Sequence, residues 1–83
     1  MSIAAPALSP DHPDRALACE EAIYAPFYSI AATDPDHAWA GDESALWPLR
    51  KAAVAAGWTI DEVDQALARL AGTVRAAMEP GRP

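Results

Sequence analysis

The chain is poor in the residues that staple small proteins together. Among its 83 residues Cys19 is the only cysteine, and His12 and His37 are the only histidines. A lone cysteine excludes an internal disulfide, and these three side chains fall short of the four ligands a structural zinc site takes. The sequence therefore implies no metal centre and no cofactor. Basic residues are scarce as well: six against twelve acidic, for a net charge of −6. That balance repels phosphate backbones, so direct binding to nucleic acid is not expected. Valine and isoleucine are few and never alternate over a strand-length run, which argues against a sheet. No apolar run approaches the roughly 18 residues of a membrane span, so no membrane partner is expected. Residues 1–10 carry no basic residue ahead of their short apolar stretch, unlike a secretory signal, and a cytoplasmic location is the default expectation.

What is abundant is alanine, which supplies much of the 52% hydrophobic share. Alanine is the best helix former but buries little side-chain area. The composition thus points to an all-α domain with a modest core. A chain of this size has a thin stability margin. With no disulfide or metal to widen it, another protein chain, identical or different, is the economical source of extra burial.

Three helices are readable. Residues 1–13, with Pro6, Pro10 and Pro13, form a flexible or extended arm ahead of a domain spanning 14–79, and 80–83 are tail. The first helix starts near Pro13 or Asp14, where proline and acidic residues suit the positive end of the helix dipole. Ala16, Cys19, Ile23, Phe27 and Ile30 draw its apolar stripe. Pro26 lies inside that stripe and predicts a kink or a break near Ala25. Residues 33–44 read as a loop, on the turn signals Asp34-Pro35-Asp36 and Gly41-Asp42. A second helix covers about 46–56. Starting it near Trp47 makes Pro48 its first helical residue, and Gly57 ends it.

The third helix is the most sharply written. Thr59 with Glu62 makes a capping box, in which each side chain satisfies the other residue's free amide. Ile60, Val63, Leu67, Leu70, Val74 and Ala77 repeat at helical spacing, and Pro80 stops the helix unless Gly72 frays it earlier. Residues 49–70 have the spacing of a helix-turn-helix, with Ala53 small, Gly57 at the turn, and Trp58, Val63 and Leu67 buried. As a DNA reader this unit fails: its would-be recognition helix opens on Asp61, Glu62 and Asp64. A plain helical hairpin is the expectation.

No catalytic arrangement is readable. Cys19 sits beside Glu20 and Glu21, which oppose thiolate formation, and no nucleophile-base pair stands out. The chain is therefore expected not to be an enzyme. Its aromatics are the better functional signal, because tyrosine and tryptophan concentrate at binding hot spots. Tyr24, Phe27 and Tyr28 lie three and four apart, so a continuous helix would place them on one broad face. With Trp39 and Trp47 they form the candidate partner-binding set. The functional expectation is a non-catalytic accessory, adaptor or regulatory subunit that binds another protein. The alternative is an acidic inhibitor or DNA mimic of phage or anti-restriction type. It would use Asp34, Asp36, Asp42, Glu43, Asp61, Glu62 and Asp64 against a basic nucleic-acid-binding protein.

Overall fold

The computed structural model of the chain describes residues 3–41 and 43–78. It is all-α, and the order is α1 (Arg15–Thr33), α2 (Pro35–Ala40), α3 (Glu43–Ala56) and α4 (Ile60–Met78). There are thus four helices among the described residues rather than three. The additional one, α2, lies in the stretch read as a loop. Pro35 explains both sides of the break before it. It pushes Asp34 out of helical geometry (φ −144°, ψ 70°), ending α1, and then serves as the first residue of α2. Gly41 closes α2 in the left-handed region at φ 69°, where a glycine pays no steric penalty.

The two internal prolines break neither helix. α1 runs continuously through Pro26, and α3 runs through Pro48 from a start at Glu43, ahead of the expected one. Each proline removes one backbone bond, so packing must compensate. In α1, Cys19 and Ile23 before the proline and Phe27 and Ala31 after it are all buried. In α3, Leu46 before Pro48 and Leu49 and Ala53 after it are buried, so the apolar face begins too early for a helix starting at Trp47.

The core gathers around Phe27, Ile23, Leu49, Val63, Val74 and Cys19, all inaccessible to solvent. α1 and α4 are its main packing pair. The stripe of α1 steps by four throughout: Arg15, Cys19, Ile23, Phe27, Ala31. Ala16 is exposed and Ile30 only half-buried, so the stripe begins one residue earlier than expected and ends one later. On α4, Val63, Ala66, Leu67, Leu70 and Val74 face inward, whereas Ile60 and Ala77 are exposed. Gly72 is helical and α4 continues to Met78. The tail from residue 80 on, with Pro80, lies outside the described residues.

The hairpin of α3 and α4 has the anatomy read from its spacing. Ala53, Trp58, Val63 and Leu67 are buried around a turn at Gly57, whose φ is 119°. The arm, by contrast, is anchored over its described part. Ile3 packs against the core, and the Trp58 indole Nε1 donates to the Ala4 carbonyl at 2.8 Å.

Candidate interaction surface

Tyr24 and Tyr28 stand one turn apart on α1, 40% and 42% exposed, with ring centroids 6.1 Å apart and planes inclined by 29°. Leu17, seven residues before Tyr24, is 54% exposed and falls on the same side of the helix. The result is an apolar stripe on the outer side of α1, about 100° round the helix from the buried one. Phe27 does not share it. Expected on the docking face, Phe27 is fully buried, because the four-residue step from Cys19 and Ile23 carries it into the core. Trp39, from α2, is half-buried and lies across Phe27 at 6.2 Å and 55°. It therefore closes the core beneath α2. Trp47 belongs to neither ring pair and stands 51% exposed on α3, with Val54 also exposed two turns on. The five aromatics named from the sequence thus divide into an open pair, a core pair and a separate exposed tryptophan.

The acidic set is similarly divided. Glu62 is gripped by Arg15, with Nε donating to Oε2 at 2.7 Å and Nη2 to Oε1 at 3.0 Å. The same carboxylate accepts from the Thr59 amide at 3.0 Å, while the Glu62 amide donates to Thr59 Oγ1 at 3.2 Å. The Arg15 hydrogen bonds, aided by those from Thr59 and opposed by burial, hold the Glu62 carboxyl below its ordinary range. Glu62 is accordingly a structural group rather than open acidic surface. Asp64 pairs with Arg50, whose Nη2 donates at 3.3 Å and whose Nε lies 3.1 Å from Oδ1. Arg50 also approaches Glu43 at 3.7 Å. Asp34 meets His37 Nδ1 at 2.7 Å. Asp36 and Asp61 are exposed in the first turns of α2 and α4, and Asp42 lies outside the described residues.

Arg15 is the group that sequence reasoning missed. It is 8% exposed, lies with its guanidinium carbon 4.8 Å from the Trp58 ring centre, and donates from Nη1 to the Leu8 carbonyl at 2.6 Å. A signal was present: Arg15 stands four residues before Cys19, at the next step of the buried stripe. Burial, and next the nearby Glu62, push the Cys19 thiol up to about 11, so it is a core side chain and a poor nucleophile.

Between α2, α3 and α4 lies an open groove of about 440 Å³, lined by Trp39, Leu46 and Leu67 with Arg50 and Asp64. Its two charged groups are paired with each other. Among the described residues, no three His, Cys, Asp or Glu side chains are grouped to hold a metal ion. Nor is any described helix long and apolar enough to cross a membrane. Compared with protein-family models, with curated proteins and with solved structures, the chain has no match in any of the three.

Proposed function

We propose that this chain is a non-catalytic accessory, adaptor or regulatory subunit of the cytoplasm that docks another protein through the outer face of α1. The observation that carries the proposal is the Tyr24–Tyr28 pair, two large rings left open side by side on a helix whose other face is fully packed. Tyrosine suits such a role. It offers a broad apolar ring at little entropic cost and a hydroxyl that tolerates water before the partner arrives. Leu17 extends the face by nearly two turns. Phe27 contributes from beneath by fixing the helix rather than by touching the partner. Trp47 with Val54 is a second exposed patch on α3, separate in the chain.

The acidic inhibitor reading has less support, since Glu62 and Asp64 are engaged by arginines of the same domain. Truncation of the two tyrosines and dependence on salt separate the readings. Tyr24→Ala with Tyr28→Ala should remove a partner recovered from the native cell, at a cost of about 2 kcal/mol or more of binding. Both rings are exposed, so the melting temperature should move little. Binding through this face should be nearly indifferent to salt, whereas a charge mimic loses affinity steeply as ionic strength rises. Retention of the partner by the folded double variant, or a steep salt dependence, would count against the tyrosine face.

A further inference from the structure

Residues 3–8 of the arm make no backbone–backbone hydrogen bond among the described residues. They are held instead by side chains of the helical domain that reach their carbonyls. The Trp58 indole donates to the carbonyl of Ala4 at 2.8 Å, and Arg15 donates to that of Leu8 at 2.6 Å. Between these two clamps, Pro6 sits on the α3–α4 turn. A Cβ on Gly57 would stand 3.2 Å from Pro6 Cδ, and φ of 119° at Gly57 disfavours any side chain there. The bare glycine thus makes the seat for the proline ring. An aromatic N–H that reads a backbone carbonyl beside a proline is one part of the chemistry by which proteins take up proline-bearing segments that lack regular structure.

The arm fits this groove incompletely. An open pocket of about 250 Å³ remains between it and α1, bordered by Ala4, Ala5 and Ala7 on the arm and by Ala18 and Ala22 on the helix. Of the arm residues that border it, Ala4, Ala5 and Ala7 offer only methyl groups, and Leu8 is the one larger side chain.

We propose that the groove formed by Trp58, Gly57 and Arg15 is a binding site for an irregular, proline-bearing peptide segment of another protein, kept occupied by the chain's own arm. The arm is an intramolecular competitor of high effective concentration but poor fit. An incoming segment with a proline in the Pro6 seat, and larger apolar side chains where the arm has Ala5 or Ala7, fills the pocket that the arm leaves open. Arg15 ties the exchange to the fold, because the guanidinium that holds the Leu8 carbonyl also holds Glu62 at the start of α4. The proposal involves none of the residues assigned to the α1 docking face, so either reading can fail alone.

The test uses the full chain, with the Trp58 indole resonance as reporter and two synthetic peptides as probes. One peptide carries the sequence of residues 3–10, and the other has leucine in place of Ala5 and Ala7. Pro6→Gly in the full chain loosens the arm. This variant should bind the first peptide saturably and at least about tenfold more tightly than the wild type does, because the internal competitor is weakened. The leucine peptide should bind a further tenfold or so more tightly, from the added apolar burial. It should also displace the arm from the wild-type chain. Adding Trp58→Phe, which removes the indole donor, should weaken binding about tenfold, read from backbone amide shifts in place of the lost indole. If Pro6→Gly does not fold, displacement of the wild-type arm by the leucine peptide decides the matter. Absence of any saturable shift at millimolar leucine peptide, on a natively folded chain, would overturn the proposal and make the arm a fixed part of the core. A wild-type chain found to be an arm-exchanged dimer at the concentrations used would overturn it as well.

Discussion

The α3–α4 junction and the two junctions flanking α2 each turn the chain in three residues or fewer, yet they are held by different means. At the first, the local bonds of Gly57 and of the Thr59–Glu62 box are joined by contacts from far along the chain. Arg15 grips Glu62, and Trp58 reaches Ala4, 54 residues away. Around α2, short-range bonds shape the chain among the described residues: Asp34 N–H to Ile30, Gly41 N–H to Ala38, and the exposed Asp34–His37 pair. What ties α2 to the rest is mainly the burial of Ala38 and the Trp39 ring against Phe27. One end of the molecule is therefore fixed by polar contacts of long sequence separation, the other mainly by the burial of Ala38 and Trp39 from a short helix. The lesson is that compact turns of similar length need not be equally firm. Local signals shape a turn, but long-range partners determine how much is lost when it opens.

The largest expected effect comes from removing the core side chain on which α2 leans. Phe27→Ala deletes a fully buried ring and should cost about 3–5 kcal/mol, measured by urea unfolding. Hydrogen exchange should show α2 affected most. A loss below about 1 kcal/mol would mean that the core closes over the space, and that Trp39 does not depend on Phe27.

Next in size is Arg15→Met, which strikes the opposite end. It removes both bonds to Glu62 and the bond to Leu8, and about 2 kcal/mol should be lost for charged hydrogen bonds in a partly buried setting. A pH signature accompanies it. Because the folded-state pKa of Glu62 is lowered, its contribution is present above the unfolded-state value of about 4.3. That contribution disappears as pH falls through the lowered folded-state value. Stability of the wild type should fall across that acid window by more than that of Arg15→Met. Parallel profiles would show that the pair contributes nothing to the acid limb.

Smaller changes sharpen the contrast between the junctions. Thr59→Ala removes one half of the capping box and should cost about 1 kcal/mol in a thermal melt. Asp34→Ala should cost only a few tenths of a kcal/mol, since the Asp34 side chain caps no backbone amide of α2 and its pairing with His37 is exposed. Equal losses for the two would erase the distinction drawn between the ends of the fold.

The candidate surface was only partly legible in the sequence. Helical spacing correctly placed Tyr24 beside Tyr28 on one helix, but it grouped Phe27 with them, because neighbours three and four apart are compatible with either side of an amphipathic helix. The direction of the core settles that question, and spacing alone does not contain it. Likewise Glu62 looks like one more acid in a charged first turn. Only the arrival of Arg15, 47 residues earlier in the chain, turns it into a packed structural pair.

By itself, the sequence determined the helical class, the capped start of α4, the glycine turn before it and the apolar stripe of α4 from Val63 to Val74. All of these rest on neighbours within about one or two turns, where propensity, capping and periodicity act directly. Tertiary structure alone decided that α1 and α3 continue through Pro26 and Pro48, because the lost backbone bonds are offset by burial on both sides of each ring. It also decided which aromatics stay open, and that the arm lies against Trp58 and Arg15. Those outcomes depend on groups brought together from distant positions, and their pairing is specified only when the helices pack.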